Sequence, residues 1–123
     1  KLNVTAVFTL KQVSRILSAL SKDTPAVISI FAGRIANAGV DPMPIMRAAV
    51  AMAAEEHSLV EVLWASPREA LNIIQAEECG CQIITVKGRQ TRWVQPLIDY
   101  KMQTRYAQTQ KAAPQVRGGL ALI

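Results

Sequence analysis

Two arginines and a serine are the residues of this chain best suited to hold an anion. Arg34 follows Gly33 just beyond an apolar run, AVISIF at 26–31. Ser66 and Arg68 lie just beyond a second such run, VEVLWA at 60–65. A guanidinium presents paired, coplanar donors that match phosphate oxygens. A helix N-terminus adds free N–H groups and positive potential. Ser66, Pro67 and Glu69 have the residue types and spacing of a helix start. The spacing therefore predicts a hydroxyl, a helix tip and two cations at neighbouring strand ends, a phosphate clamp. Each residue also has a plainer role open to it: Ser66 as an ordinary N-cap, Arg34 and Arg68 as solvated surface charges.

Three further polar residues interrupt the apolar runs, where burial without a partner is costly. Asn3 and Thr5 fall in NVTAVF at 3–8 and share a face, because strand side chains alternate. Ser29 lies inside 26–31. All three are candidates to touch a substrate, and all three can instead satisfy nearby backbone groups. Trp64 reads as core. His57, after Glu55 and Glu56, reads as a solvated loop residue. Met43, Met46 and Met52 read as fillers of the core or of a helix surface. Cys79 and Cys81 flank Gly80 too closely to pair with each other, and with His57 the sole histidine they cannot complete a four-ligand zinc site. They read as small residues packed around a turn in a reducing cytosol, and no metal is expected.

The elements that carry these residues follow from periodicity. After the strand at 3–8, Thr9 and Gln12 have capping-box spacing, and Leu10, Val13, Ile16, Leu17 and Leu20 repeat as one helical face. Asp23, Thr24 and Pro25 stop that helix before the strand at 26–31. A loop holding Gly33 and Gly39 leads to Asp41 and Pro42, an N-cap and first-turn pair for a helix over 43–56. A third strand at 60–65 precedes the helix expected from Ser66, which Gly80 ends. A fourth strand covers 82–86, QIITV. The order β-α-β-α-β-α-β implies parallel strands with right-handed crossovers. Periodicity alone fits both a doubly wound sheet and part of a barrel.

Charge separates the chain into two parts. Residues 1–86 carry a net −1, whereas residues 87–123 hold seven Lys/Arg against Asp99 alone, a net +6. The formal +5 of the whole chain thus belongs to the tail. The tail is rich in Gln, Arg, Lys and Thr, contains Trp93, Pro96, Pro114 and Gly118–Gly119, and reads as weakly structured. A helix can start at Val94, Leu97 and Ile98, and a strand at 120–123. Trp93, Tyr100 and Tyr106 could stack on bases, yet no nucleic-acid-binding signature accompanies them, so nucleic acid is not an expected partner. No apolar run approaches the ~20 residues of a membrane helix. The chain opens with Lys1 and Leu2 already on a strand, as a fragment would.

The segments NVTAVFT at 3–9, ISIFAGRI at 28–35, WASPRE at 64–69 and GCQIITV at 80–86 resemble consecutive strand ends of the transaldolase family. The F-x-G-R and A-S-x-R elements are specific in combination. The resemblance covers residues 1–86. It implies an α/β fold, the C-terminal half of an eight-stranded (β/α)₈ TIM barrel, with 87–123 as a basic divergent tail or the product of an altered reading frame. It also implies a cytoplasmic transferase of the pentose phosphate pathway, without cofactor, that moves a dihydroxyacetone unit between sugar phosphates through a lysine Schiff base. Thr5 matches the threonine that holds the catalytic water, and Asn3 the asparagine that hydrogen-bonds the bound substrate. Ser29 matches the serine of the second strand, and Arg34, Ser66 and Arg68 match the phosphate-binding residues. The lysine itself belongs to the strand before Asn3, so Lys1 is not assigned that role and the isolated chain is expected to be inactive. A fructose-6-phosphate aldolase and a non-catalytic phosphate-binding module are the alternatives. Homo-oligomerisation stays open.

Overall fold

Thr9 starts the first helix as its spacing requires. In the computed structural model, which describes residues 1–88, 92, 95–97, 99, 100 and 120–123, β1 (Leu2–Val7) is followed by α1 (Leu10–Ala19). The Thr9 hydroxyl accepts the Gln12 N–H at 3.3 Å, and the Gln12 side chain accepts the Thr9 N–H at 3.0 Å. Two donors at the helix start are thus satisfied reciprocally. β2 (Ala26–Ile30) leads directly into α2 (Ala32–Asn37). The glycine-bearing stretch after β2 is therefore a short helix, where the sequence pattern suggested a loop. Its six residues are too few to show a hydrophobic period.

α3 (Met43–Glu56) begins two residues past Asp41, with Pro42 in the cap position, and the Asp41 carboxylate accepts the Met43 N–H at 2.9 Å. β3 (Val60–Trp64), α4 (Leu71–Glu78) and β4 (Ile83–Ile84) follow. α4 ends at Gly80, whose φ of +78° is the left-handed backbone that glycine adopts without strain. The tail expectation falls mostly on residues outside those described, Trp93, Val94, Ile98, Tyr106, Pro114 and Gly118–Gly119 among them. Its last residues do return to the sheet. β5 (Ala121–Leu122) pairs in parallel with β4, as the strand expected at 120–123.

The five strands form one parallel sheet in sequential order, β1-β2-β3-β4-β5. A doubly wound sheet reverses its order at a switch point and carries helices on both faces. Here the order never reverses. The buried hydrophobic side chains of α1 to α4 pack into one cluster, with Val13 and Leu17 of α1, Ile35 of α2, Met46, Ala49 and Ala53 of α3, and Ile73 and Ala76 of α4 among them. The strand residues in that cluster alternate: Ala26, Ile28 and Ile30, then Val60, Val62 and Trp64, then Ile84. Their neighbours Val27, Leu63, Ala65 and Ile83 form a separate small cluster on the opposite face. Helices α1 to α4 therefore cover one face of the sheet and leave the other for a site.

β1 is an edge strand, exposed along most of its length, whereas β2 is buried throughout. Its register slips between Val4 and Val7, with Ala6 at φ +60°. The bulge turns Val7 into the helix-side cluster and keeps Asn3 and Thr5 on the free face. Among the described residues no helix is long and apolar enough to cross a membrane.

His57 departs from its expected place. The residue is 2% exposed, and its Nε2 lies 2.7 Å from the Ser21 carbonyl. It closes the end of α3 against the 20–24 turn, a long-range contact that local sequence cannot reveal. Trp64 is fully buried, as expected. Cys79 and Cys81 are free, buried thiols. Burial pushes the Cys79 thiol above its ordinary range despite Arg47 nearby. It pushes the Cys81 thiol up to about 12, with the neighbouring Cys79 acting in the same direction.

Candidate functional site

The C-terminal ends of the strands open onto a pocket of about 450 Å³ on the helix-free face. Asn3, Thr5, Ser29, Arg34, Ser66 and Arg68 all line it. The six residues singled out in the sequence thus come from three strand ends to one cavity.

β1 supplies Asn3 and Thr5, and β2 supplies Ser29 beside them. Ser29 is 4% exposed, and its hydroxyl donates to Asn3 Oδ1 at 2.9 Å. This bond satisfies the buried Ser29 hydroxyl. It also fixes the Asn3 amide with its oxygen occupied and its NH₂ donors directed elsewhere.

Arg34 sits in α2, one turn from the end of β2. Its guanidinium lies over the Phe31 ring, 4.7 Å from the centroid, a cation–π contact worth about 0.5–1 kcal/mol at an exposed site. Phe31 is in turn met edge-on by Phe8, centroids 5.4 Å apart and planes at 77°. The two aromatic rings form a floor that holds the cation at the rim.

Ser66 and Arg68 lie on the loop after β3, and here the structure corrects the sequence. No helix starts at Ser66. α4 begins only at Leu71, and Ser66 has a φ of +58°, a left-handed conformation costly for a residue with a Cβ. The Asn72 side chain ties the loop instead, accepting the Arg68 N–H at 2.7 Å and the Glu69 N–H at 3.2 Å. The expected helix tip is therefore absent from the pocket, and Ser66 is not an N-cap. What remains is a hydroxyl and two guanidinium groups. Strain at Ser66 is of the kind that surrounding structure must impose.

That imposition comes from α2. Gly33 donates its N–H to the Ala65 carbonyl at 3.2 Å. A Cβ built on Gly33 would fall 1.6 Å from the Ser66 carbonyl oxygen and 3.4 Å from Arg68 Nε. Only glycine lets the two backbones approach this far. Arg68 Nε also donates to Asn37 Oδ1, at 3.2 Å, across the same junction. The F-x-G-R and A-S-x-R segments are thus two halves of one packed corner.

Some lining residues were not singled out in the sequence. Phe31, Thr85 and Lys87 border the cavity. Thr85 could have been found by alternation from Ile83, but Lys87 sits where the strand pattern ends. Lys1, by contrast, pairs with Glu61 at the N-terminal ends of β1 and β3, away from the arginines.

A sheet face free of the described helices that gathers hydroxyls, an amide and two arginines meeting no carboxylate among the described residues suits a polyhydroxylated anion. A model of the family described as Transaldolase/Fructose-6-phosphate aldolase matches residues 1–95. The chain belongs to that family. Its membership places the chain among aldolase-type enzymes at family level. The matched residues include every element from β1 to β4 and all six expected site residues. No curated protein matches the chain.

Proposed function

We propose that this transaldolase-family chain forms the sugar-phosphate-binding part of a transaldolase, which moves a dihydroxyacetone unit between sugar phosphates. The single observation behind the proposal is the convergence of Arg34, Ser66 and Arg68 with Asn3, Thr5 and Ser29 on one pocket. In this reading the phosphate lies between Arg34 and Arg68, with the Ser66 hydroxyl as an added donor. The sugar runs back over the sheet toward Asn3, whose amide hydrogen-bonds it. Thr5 holds the water that moves protons at the reacting carbons.

The sequential, one-sided sheet supports a partial (β/α)₈ barrel with its active face at the strand C-termini. Residues 1–86 would form that part and 87–123 a divergent basic extension. In this reading the family's Schiff-base lysine lies on the strand before β1, and Lys1 does not take its place. The proposal therefore separates binding from covalent chemistry. The full 123-residue chain should bind fructose 6-phosphate in a calorimetric titration. Arg34→Met and Arg68→Met should each weaken binding at least tenfold, because charge-assisted hydrogen bonds contribute roughly 1.5–3 kcal/mol. Borohydride reduction in the presence of fructose 6-phosphate should leave no sugar adduct. A lysine adduct would show that the chain carries its own nucleophile, and equal affinity in both arginine variants would remove the phosphate assignment.

A further inference from the structure

Asn37 has no assigned role, yet it makes a side-chain hydrogen bond across the corner between α2 and the loop after β3. Its Oδ1 accepts Arg68 Nε at 3.2 Å. A guanidinium has five N–H donors in a rigid fork. With Nε engaged, the plane of the group is fixed and the Nη donors remain for a ligand. The backbone of Arg68 is held independently by Asn72. Asn37 therefore governs the side chain, not the loop.

Two features make the choice of an amide meaningful. Arg34 and Asn37 lie three residues apart on α2, the spacing of neighbours on one helical face, so a single short helix carries one cation and orients the other. Among the described residues, neither arginine meets a carboxylate within salt-bridge distance; Arg34 rests on a ring and Arg68 on an amide. A neutral partner orients the charge without cancelling it. A carboxylate at the same place would do both.

We infer that Asn37 is a positioning residue of the anion pocket, acting through Arg68 to set the plane of its guanidinium for a phosphate. This rests on the reading of the pocket as a sugar-phosphate site. Asn37 is exposed, so its replacement leaves the core intact.

The test is a fructose 6-phosphate titration of the 123-residue chain and four variants, Asn37→Leu, Asn37→Asp, Arg68→Met and the double variant Asn37→Leu/Arg68→Met, with unfolding curves measured without ligand. Asn37→Leu should weaken binding roughly three- to tenfold, the range expected for one lost hydrogen bond, with an unchanged unfolding midpoint. In the Arg68→Met background the same replacement should cost nothing further. Asn37→Asp should weaken binding more at pH 7.5 and regain affinity relative to wild type as the new carboxylate is protonated near pH 4. A purely structural role would give neither the coupling nor that pH profile. Equal affinity of Asn37→Leu and wild type, or an equal loss with and without Arg68, would overturn the inference. If wild type binds and only Arg68→Met fails, Asn37 has no positioning role and the pocket assignment stands. If wild type does not bind, the pocket assignment itself falls, and Asn37 with it.

Discussion

Replacing Gly33 with alanine tests the corner on which the pocket depends. On a free helix the change should help, because alanine exceeds glycine by about 0.8–1.0 kcal/mol in helix propensity. Here the new methyl would meet backbone: the Ser66 carbonyl oxygen at 1.6 Å and its carbon at 2.6 Å. Non-bonded heavy atoms rest near 3.5 Å, so α2 and the 65–66 backbone must separate by roughly 1.5–2 Å. Ser66 is already at φ +58° and cannot rotate away cheaply. The separation breaks the 3.2 Å bond from Gly33 N–H to Ala65 and pulls Arg34 from Arg68. Overpacking of this kind costs about 1–3 kcal/mol and the lost backbone bond about 1 more. After the propensity gain, a net loss of about 1–3 kcal/mol is expected, which lowers Tm by roughly 4–15 °C in a domain of this size. Thermal and urea unfolding followed by circular dichroism would measure it, with fructose 6-phosphate binding lost in parallel. An alanine variant as stable as wild type would mean that α2 is not seated against the Ser66 loop, and the geometry of the clamp would be wrong.

Three other outcomes follow from the same structure. Ser66→Gly should hold or slightly raise stability, because relief of ~1–2 kcal/mol of left-handed strain outweighs ~0.5–1 kcal/mol of added chain entropy, while fructose 6-phosphate affinity falls; a clear drop in the urea midpoint would contradict it. His57→Ala should cost about 1–3 kcal/mol by leaving the Ser21 carbonyl without its buried partner, and His57→Gln should recover part of the loss, both read from urea denaturation; an unchanged midpoint in the alanine variant would count against this role. For Cys81, the folded state holds the thiol proton more tightly than the unfolded chain, whose thiol keeps the ordinary value of 9.0. The resulting stability is complete below about pH 9 and declines as pH rises toward 12. Relative to Cys81→Ala, wild type should therefore lose stability across that interval, and its thiol should resist iodoacetamide at pH 8 until urea unfolds the chain. Equal alkaline slopes in the two proteins would refute the assignment.

Part of this site was legible in the linear pattern. Asn3, Thr5 and Ser29 within strand runs, and Arg34, Ser66 and Arg68 just beyond them, placed polar groups along consecutive strands, and alternation put Asn3 and Thr5 on one face. The Thr9–Gln12 cap was legible too, because a capping box is closed within four residues. Ser66 misled for the same reason: its spacing satisfies a local helix start, but the backbone there answers to Gly33, more than thirty residues earlier. The burial of His57 and the contact from Asn37 to Arg68 were likewise invisible, since each joins segments that only the crossovers bring together.

By itself the sequence determined that parallel strands alternate with helices, and which polar residues stand at their ends, because hydrophobic period and capping chemistry act over a few residues. Only the tertiary structure decided that the strands lie in unbroken order with α1 to α4 on one face, and that no helix starts at Ser66 in the pocket. Those outcomes depend on how distant backbones meet, and at Gly33 that meeting is set by the space a missing methyl leaves for the Ser66 carbonyl.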